Sequence, residues 1–409
     1  VSSPQTERPP ILAGIRVLDL SHQYSGAHSA SMLADLGADV VCVEDPKGSP
    51  IRTMLPKKGE HSLWWKVAQR GKRNISLKLS TPKGREMLLK MACHFDVMVE
   101  NFRPGTLERW GIGPADLEKA GANLALLRIS GFGQTGPYKD RPGFGSIAES
   151  MSGFAHLNGF PDRPPAYPST TLADGVSSVF GVVGVLAALL SRSREKTRGV
   201  EVVDVALFES LFRIIPTQVA GYDQLGKIPK RPGNYLGEHG VLRNVYQTKD
   251  GRYLCMSSVG GQAIRRIMAG AGATELCAEV DAGIMEKPME QVQVFLAACN
   301  RHLEAWTALR PYAELVADLA AAGAVHGPVY DVSDIVKDPH YLARDDVITV
   351  DDEDLGPIRM QGVVPKFPGR THTVKHAGKR RGSDNATVYR ELLGLDAEQL
   401  QALKQEGVV

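Results

Sequence analysis

The sequence predicts an α/β fold: a doubly wound, Rossmann-like parallel sheet with a second, smaller α+β domain. Three observations carry this expectation. Short apolar stretches at residues 15–20, 38–44, 74–79, 96–100 and 124–130 alternate with helical patterns, and repeated strand–helix–strand units build parallel sheets with right-handed crossovers. Beyond Gly199 the pattern changes to a Pro- and Gly-rich stretch at 227–240 and a hairpin signal at 241–257. Finally, 409 residues exceed what one hydrophobic core usually serves. Residues 1–225 are read as the first part of the large domain, 226–330 as the small domain, and 331–409 as a return to the large one.

Composition narrows the class. The formal net charge is +2, without the basic excess expected of a nucleic-acid or membrane-surface protein. The five cysteines Cys42, Cys93, Cys255, Cys277 and Cys299 show no CxxC spacing, so neither a zinc site nor a disulfide framework is expected, and a reducing, cytoplasmic compartment is. Residues 1–10 lack an apolar stretch and read as a frayed tail rather than a signal peptide. The apolar run 179–190 reads as too short to span a bilayer.

Taken in order, the strand at 15–20 leads through Ser21–Ala27 into a helix at 28–36 that stops at Gly37. Ligands in such sheets bind beyond the carboxyl ends of the strands, which places 21–27 at a binding edge. A nicotinamide dinucleotide would require three glycines as GxGxxG, and this loop has only Gly26. Thr81 and Pro82 give the N-cap then N1-proline order for a helix to Ala92. A helix at 114–119 precedes the strand at 124–130, and Gly131, Gly133 and Gly136 follow in one loop. Arg52, Lys57, Lys58, Arg70, Lys72, Arg73, Arg103 and Arg109 crowd the strand ends. Singly each reads as a solvated rim; together, with Asn101 and Phe102, they could hold an anionic nucleotide through forked phosphate contacts and stacking.

Residues 170–199 read as the stretch the chain is organised around: a loop, Asp174 as N-cap, a small-residue helix over 175–191, and a basic last turn with Arg192, Arg194 and Lys196. Read locally, Asp174 is a cap. Further on, 200–205 reads as a strand and 206–218 as a helix. Asp250–Gly251 forms the hairpin turn, and Val259, Gly260 and Gly261 follow its second strand. Helices are expected at 289–303 and 312–322, with His326 in a connection as a structural residue. The basic run 375–381 reads as solvated loop, and 385–394 as a helix with a glycine stop.

Several segments carry a resemblance. Leu-Ala-Gly-Ile-Arg-Val-Leu-Asp-Leu (12–20), Ala-Asp-Leu-Gly-Ala-Asp-Val-Val-Cys-Val-Glu (34–44), Val-Glu-Asn-Phe-Arg-Pro-Gly (99–105), Ser-Gly-Phe-Gly-Gln-Thr-Gly-Pro-Tyr (130–138) and Ala-Asp-Gly (173–175) are similar to the class III CoA-transferases, the group of formyl-CoA transferase and carnitine CoA-transferase. So are Arg231–Asn234, the stretch 246–251, and His326-Gly-Pro-Val. The resemblance implies Asp174 as the catalytic nucleophile. It implies coenzyme A contacts from His22, Gln23, Tyr24, Ser25, Leu77, Asn101, Phe102, Arg103 and Arg109, and an active-site loop at Gly260 and Gly261. It further implies an interlocked dimer, as a homodimer or paired with a related subunit, with the CoA thioester as substrate rather than a bound cofactor and no metal.

Departures from the family pattern are Ala27 for a common proline, Asp45 for a basic residue, Ser80 for lysine, and Gly145 for an acid, with Glu149 four residues on. The motif around Glu149 resembles the subgroup handling dicarboxylic acids, which points to succinyl-CoA as donor. Two other readings stand beside this one. An α-methylacyl-CoA racemase would need a His-Asp pair at Phe144–Gly145, and a non-catalytic CoA-binding partner subunit would have no need of Asp174.

Overall fold

The computed structural model describes residues 8–196, 198–236 and 239–409. Most of the N-terminal tail, residue 197 of the basic turn and residues 237–238 of the Pro/Gly-rich stretch lie outside them. The described chain forms two compact units: one comprises residues up to 154, 168–217 and 339–409, the other 155–167 and 218–338.

In the first unit, β1 (Arg16–Asp19), α1 (Tyr24–Asp35) and β2 (Asp39–Glu44) form the opening crossover. Then come α2 (Leu63–Ala68), β3 (Arg73–Ser76), α3 (Pro82–Ala92), β4 (Val97–Glu100), α4 (Thr106–Trp110), α5 (Pro114–Lys119) and β5 (Leu124–Ser130). α6 (Gly145–Met151), α7 (Leu172–Glu195), β6 (Val200–Ala206) and α8 (Leu207–Arg213) complete this part. The six strands pair in the order β3-β2-β1-β4-β5-β6, every pair parallel. Every residue of β4 and β5 is buried, as a sheet covered on both faces requires. Alternation sorts the side chains. Leu18, Val41, Met98 and Leu126 face one core with α3 and α5; Val17, Val40, Val97, Val99 and Leu127 face another with α1 and α7.

The second unit holds α9 (Gln218–Leu225), the hairpin β7 (Val241–Gln247) and β8 (Tyr253–Val259), α10 (Gly261–Gly270), α11 (Thr274–Asp281), α12 (Met289–Ala308), α13 (Tyr312–Ala321) and β9 (His326–Pro328). Its antiparallel sheet has the order β9-β8-β7. Gly251 takes φ +78° at the hairpin turn. The chain then returns to the first unit with a hairpin, β10 (Val347–Asp352) and β11 (Gly356–Gln361), and two helices, α14 (Asn385–Leu393) and α15 (Ala397–Gln405). α14 covers the edge strand β3: Tyr389 Oη donates to Ser76 O at 2.6 Å, and Asn385 Oδ1 accepts from Ser76 N at 2.9 Å.

Several elements differ from expectation. α1 starts at Tyr24 rather than 28, because Gly26 and Ala27 continue its first turn instead of ending a loop. The expected helix at 206–218 is two helices separated by a break containing Pro216, whose ring and missing N–H oppose continuation. His326 lies in a strand, opposite Met256. The run 375–381 is not solvated loop throughout: Ala377 is buried, Gly378 N donates to Lys66 O, and Lys379 O accepts from Trp65 Nε1 at 2.9 Å. α7 runs 24 residues, and among the described residues it is the one helix long and apolar enough to cross a membrane by length and composition. Here it packs on the sheet. A Cβ on Gly184 would stand 2.5 Å from Val203 Cγ1, and one on Gly181 2.9 Å from Leu127 Cδ2.

Candidate active site

The loop after β1 is fixed from beneath by a buried ion pair. Lys72 Nζ lies 2.8 Å from Asp19 Oδ2, both side chains fully buried, and also donates to Ala27 O at 2.7 Å. Asp19 Oδ1 accepts from Ser21 N at 2.9 Å. Next, Asn101 at the end of β4 accepts from His22 N at 3.1 Å, and its Nδ2 donates to Ser25 Oγ at 3.4 Å. This packing needs Gly26, since a Cβ there would stand 2.5 Å from Ser21 Cβ and 3.3 Å from Asn101 Cγ.

Ser25 brings the network to Asp174: its hydroxyl stands by the carboxylate and favours the ionised form. Asp174 is not the N-cap. Thr171 holds that position, and Asp174 is the third residue of α7, in its first turn. Ser178 Oγ lies 2.7 Å from Asp174 O and 2.8 Å from Ser25 O, tying α7 to α1. Burial, and then the negative charge of Glu149, push the Asp174 carboxyl up to about 6, against the hydrogen bond from Ser25. Gly145 faces this group: a Cβ on it would stand 2.7 Å from Asp174 Oδ2. Glu149 on α6 is 3% exposed and accepts from Ala173 N at 3.4 Å. Burial raises its carboxyl too.

Around the strand ends lies a cavity of about 230 Å³ lined by His22, Leu77, Phe102, Trp65 and Trp110, with Cys42, Glu44 and Ser80. The rings of His22 and Phe102 stack 4.7 Å apart at 13°, and Trp110 meets Phe102 edge-on at 5.1 Å. Burial lowers the His22 pKa, and its buried Nδ1 has no hydrogen-bond partner among the described residues. A neutral, stacked imidazole with an unused ring nitrogen suits a heteroaromatic base.

The sequence-derived residues thus fall into groups. His22, Leu77 and Phe102 share the cavity; Tyr24, Ser25, Asn101 and Glu149 lie around Asp174. Tyr24 stacks on His28 at 5.0 Å and meets Trp64 edge-on at 4.9 Å, and its hydroxyl is made less acidic by burial and then by Asp174. Gln23 is the extended N-cap residue of α1, its side chain making no cap bond. Arg103 and Arg109 are exposed beyond β4 and do not line the cavity; Arg109 Nη2 donates to Thr106 Oγ1. Gly260 and Gly261, in the second unit, join β8 to α10, with Gly260 at φ +84°.

The expected cationic cluster is largely engaged elsewhere. Arg52 pairs with Glu44, Arg70 with Asp35, Lys72 with Asp19, and Arg73 with Asp39 and Glu391. Lys57 and Lys58 are exposed on a short hairpin. The cavity walls Trp65 and Trp110, and Trp64 and His28 beside Tyr24, are not assigned from sequence; the adjacent tryptophans at 64–65 are the available signal. No group of acids, histidines and cysteines among the described residues is arranged to hold a metal.

Comparison with known proteins gives the family. The sequence profile of CoA-transferase family III matches residues 12–385, so the chain belongs to that family and is a CoA-transferase. It is 34% identical to a succinyl-CoA–D-citramalate CoA-transferase of Chloroflexus aurantiacus, over 99% of this chain and 100% of that one. It is 35% identical to the beta subunit of a succinyl-CoA–L-malate CoA-transferase of the same organism, over 97% and 98%. Among solved structures, a CAIB/BAIF family protein from Brucella suis superposes with a TM-score of 0.81 at 27% identity, covering 94% of this chain and 100% of that one.

Proposed function

We propose that this enzyme moves CoA from succinyl-CoA to a second carboxylic acid, a dicarboxylic one, through covalent intermediates on Asp174. The observation that carries this is the Asp174 carboxylate itself: half-buried, with the Ser25 hydroxyl beside it, and facing the side-chain-free Gly145. Above about pH 6 it is ionised and basic enough to attack.

In the reaction, Asp174 Oδ attacks the thioester carbonyl carbon and the C–S bond breaks, giving an acyl-aspartyl anhydride and CoA thiolate. The thiolate attacks the aspartyl carbonyl carbon, releasing the donor acid as carboxylate and leaving an aspartyl-CoA thioester. The acceptor carboxylate then attacks that thioester, and returning thiolate attacks the acceptor acyl carbon, freeing Asp174. Protons balance without a general acid, and the covalent relay divides one difficult exchange into easier steps. The cavity beside His22 and Phe102 would take the adenine end of CoA. A racemase reading is disfavoured because Phe144 and Gly145 offer no base.

An exposed apolar stripe on α7, Val179, Val183 and Leu190, with Val202 on the edge strand β6, is where we place the dimer contact. One of the relatives is a named subunit of a two-subunit enzyme, so native mass spectrometry of the protein expressed alone decides between self-pairing and a second chain.

Incubation with succinyl-CoA followed by hydroxylamine or borohydride is expected to mark Asp174 alone in peptide mass spectra, and a panel of dicarboxylates with succinyl-CoA identifies the acceptor. Label at another residue would overturn the mechanism.

A further inference from the structure

We propose that Glu149 is a positioning residue for Asp174: its buried carboxylate holds the first turn of α7 through the Ala173 N–H and is the charged neighbour of the nucleophile. The inference rests on the nucleophile reading above and extends it to a second residue.

Three features of the geometry support it. First, position 145 carries no side chain here, and a Cβ on it would meet Asp174 Oδ2 at 2.7 Å, so Asp174 in its present orientation uses the space that glycine leaves. Second, Glu149 stands one helical turn further along α6, on the same face as Gly145. It is 3% exposed, and its Oε1 accepts from Ala173 N at 3.4 Å. The Thr171 side chain makes no cap bond, so α6 supplies the acceptor that the local sequence does not. Third, Asp174 follows Ala173 directly, so holding that peptide fixes the direction in which the Asp174 side chain leaves the helix.

The surrounding charges leave Glu149 alone in this role. α7 packs against α1, α6, α8, β5 and β6. On α1, Tyr24 and His28 face the region; Tyr24 has its hydroxyl pushed up, and His28 is lowered to about 4, so both are neutral between pH 5 and 8. On α8, Glu209 responds to burial and Asp204. On β5, Arg128 is bound to Glu100 and Glu108. Arg70 and Lys72, which act on His28, are paired with Asp35 and Asp19. An anionic Glu149 therefore makes Asp174 more basic, and a more basic carboxylate is the stronger nucleophile toward a thioester.

The test uses Glu149→Gln, which keeps an oxygen acceptor but removes the charge, and Glu149→Leu, which removes both. The Asp174 midpoint is read from carboxyl carbon resonances of Asp-labelled protein, assigned with Asp174→Asn, so the readout does not require turnover. In Glu149→Gln the midpoint should fall by at least about half a pH unit, the scale of one nearby like charge, and the acidic limb of kcat/KM should move with it. In Glu149→Leu single-turnover acylation of Asp174 should slow at least about tenfold, the mark of a misaligned nucleophile, with CoA affinity changed far less. A helix cap without influence on Asp174 would lower Tm and leave the midpoint where it was. An unmoved midpoint in Glu149→Gln, or wild-type acylation in Glu149→Leu, while Asp174 is still trapped normally, overturns the positioning role alone. Absence of any trapped acyl-Asp174 in the wild type overturns the nucleophile reading and the proposal with it.

Discussion

Asp19, fully buried at the end of β1, and Asp174, half-buried in the first turn of α7, are two carboxylates handled in opposite ways. Asp19 has a full countercharge in Lys72 at 2.8 Å and a backbone donor in Ser21 N. Asp174 has a hydroxyl donor and, as its charged neighbour, another acid. The first arrangement makes a frame: the charge is compensated and the loop carrying His22 to Ser25 is pinned. The second leaves an ionised group poorly compensated, and that shortfall is what makes a carboxylate reactive. Within one domain, compensated charge builds the scaffold and uncompensated charge is available for chemistry.

The largest expected effect breaks the compensated pair. Lys72→Ala leaves Asp19 buried and unpaired, which should cost about 3–5 kcal/mol of stability. Urea unfolding measures it, and Asp19→Asn combined with Lys72→Met should recover much of the loss. A cost no greater than that of removing the exposed Lys83–Glu86 pair would mean the two carboxylates do not differ as argued.

Asp174→Asn is the reciprocal experiment. Transfer should fall at least about a hundredfold, on the scale of losing a covalent route, while CoA binding persists. Stability should move the other way. The folded protein holds the Asp174 proton to about pH 6, whereas an unfolded chain releases it near 4. Between those values the folded state binds more protons, so stability falls as pH rises and levels off above the window. Asn escapes that loss, so the variant should be more stable at pH 7.5 by no more than about 3 kcal/mol, the gain vanishing toward pH 4. Thermal melts across pH 4–8 check the sign.

The same contrast explains what the sequence made legible. The parallel sheet was readable because each strand carries its own apolar run, and β5 matches the expected residues 124–130. The role proposed for Asp174 comes from the Ala-Asp-Gly resemblance, whereas its place differs from the expected N-cap, since the helix starts at Leu172. α7 begins earlier because Glu149, 24 residues from Ala173, serves its first turn, and no local pattern reports so distant an acceptor. The cationic cluster was overestimated for a related reason. Arg70 and Lys72 find their acids 35 and 53 residues away, so the pairing exists only once strands and helices have assembled.

The cavity allows the comparison to be carried to neutral groups. Phe102→Ala removes the ring stacked on His22 and one wall of the cavity. Stacked aromatic contacts are worth about 0.5–1.5 kcal/mol beyond area, so the dissociation constant for CoA, measured calorimetrically, should rise about tenfold with little salt dependence. An effect that disappears in 0.5 M salt would point to charge rather than stacking at this position.

Arg103 should give the smallest effect, and its size is informative. It is exposed and stands beyond β4 outside the cavity lining, so any phosphate contact it makes is hydrated on one side. Exposed ion pairs contribute about 0–1 kcal/mol, and the Debye length of about 8 Å at physiological salt screens them further. Arg103→Ala should therefore weaken CoA binding less than about fivefold at low salt, with wild type and variant converging by about 0.5 M. The same substitution should leave the rate of Asp174 acylation at saturating acyl-CoA unchanged, because its contact would be made equally in ground and transition states. A loss as large as that of Phe102→Ala, persisting at high salt, would mean that bound CoA covers Arg103 and turns an exposed cation into a buried one. The rim would then belong with Lys72 among the compensated charges, the bound phosphate taking the place of Asp19.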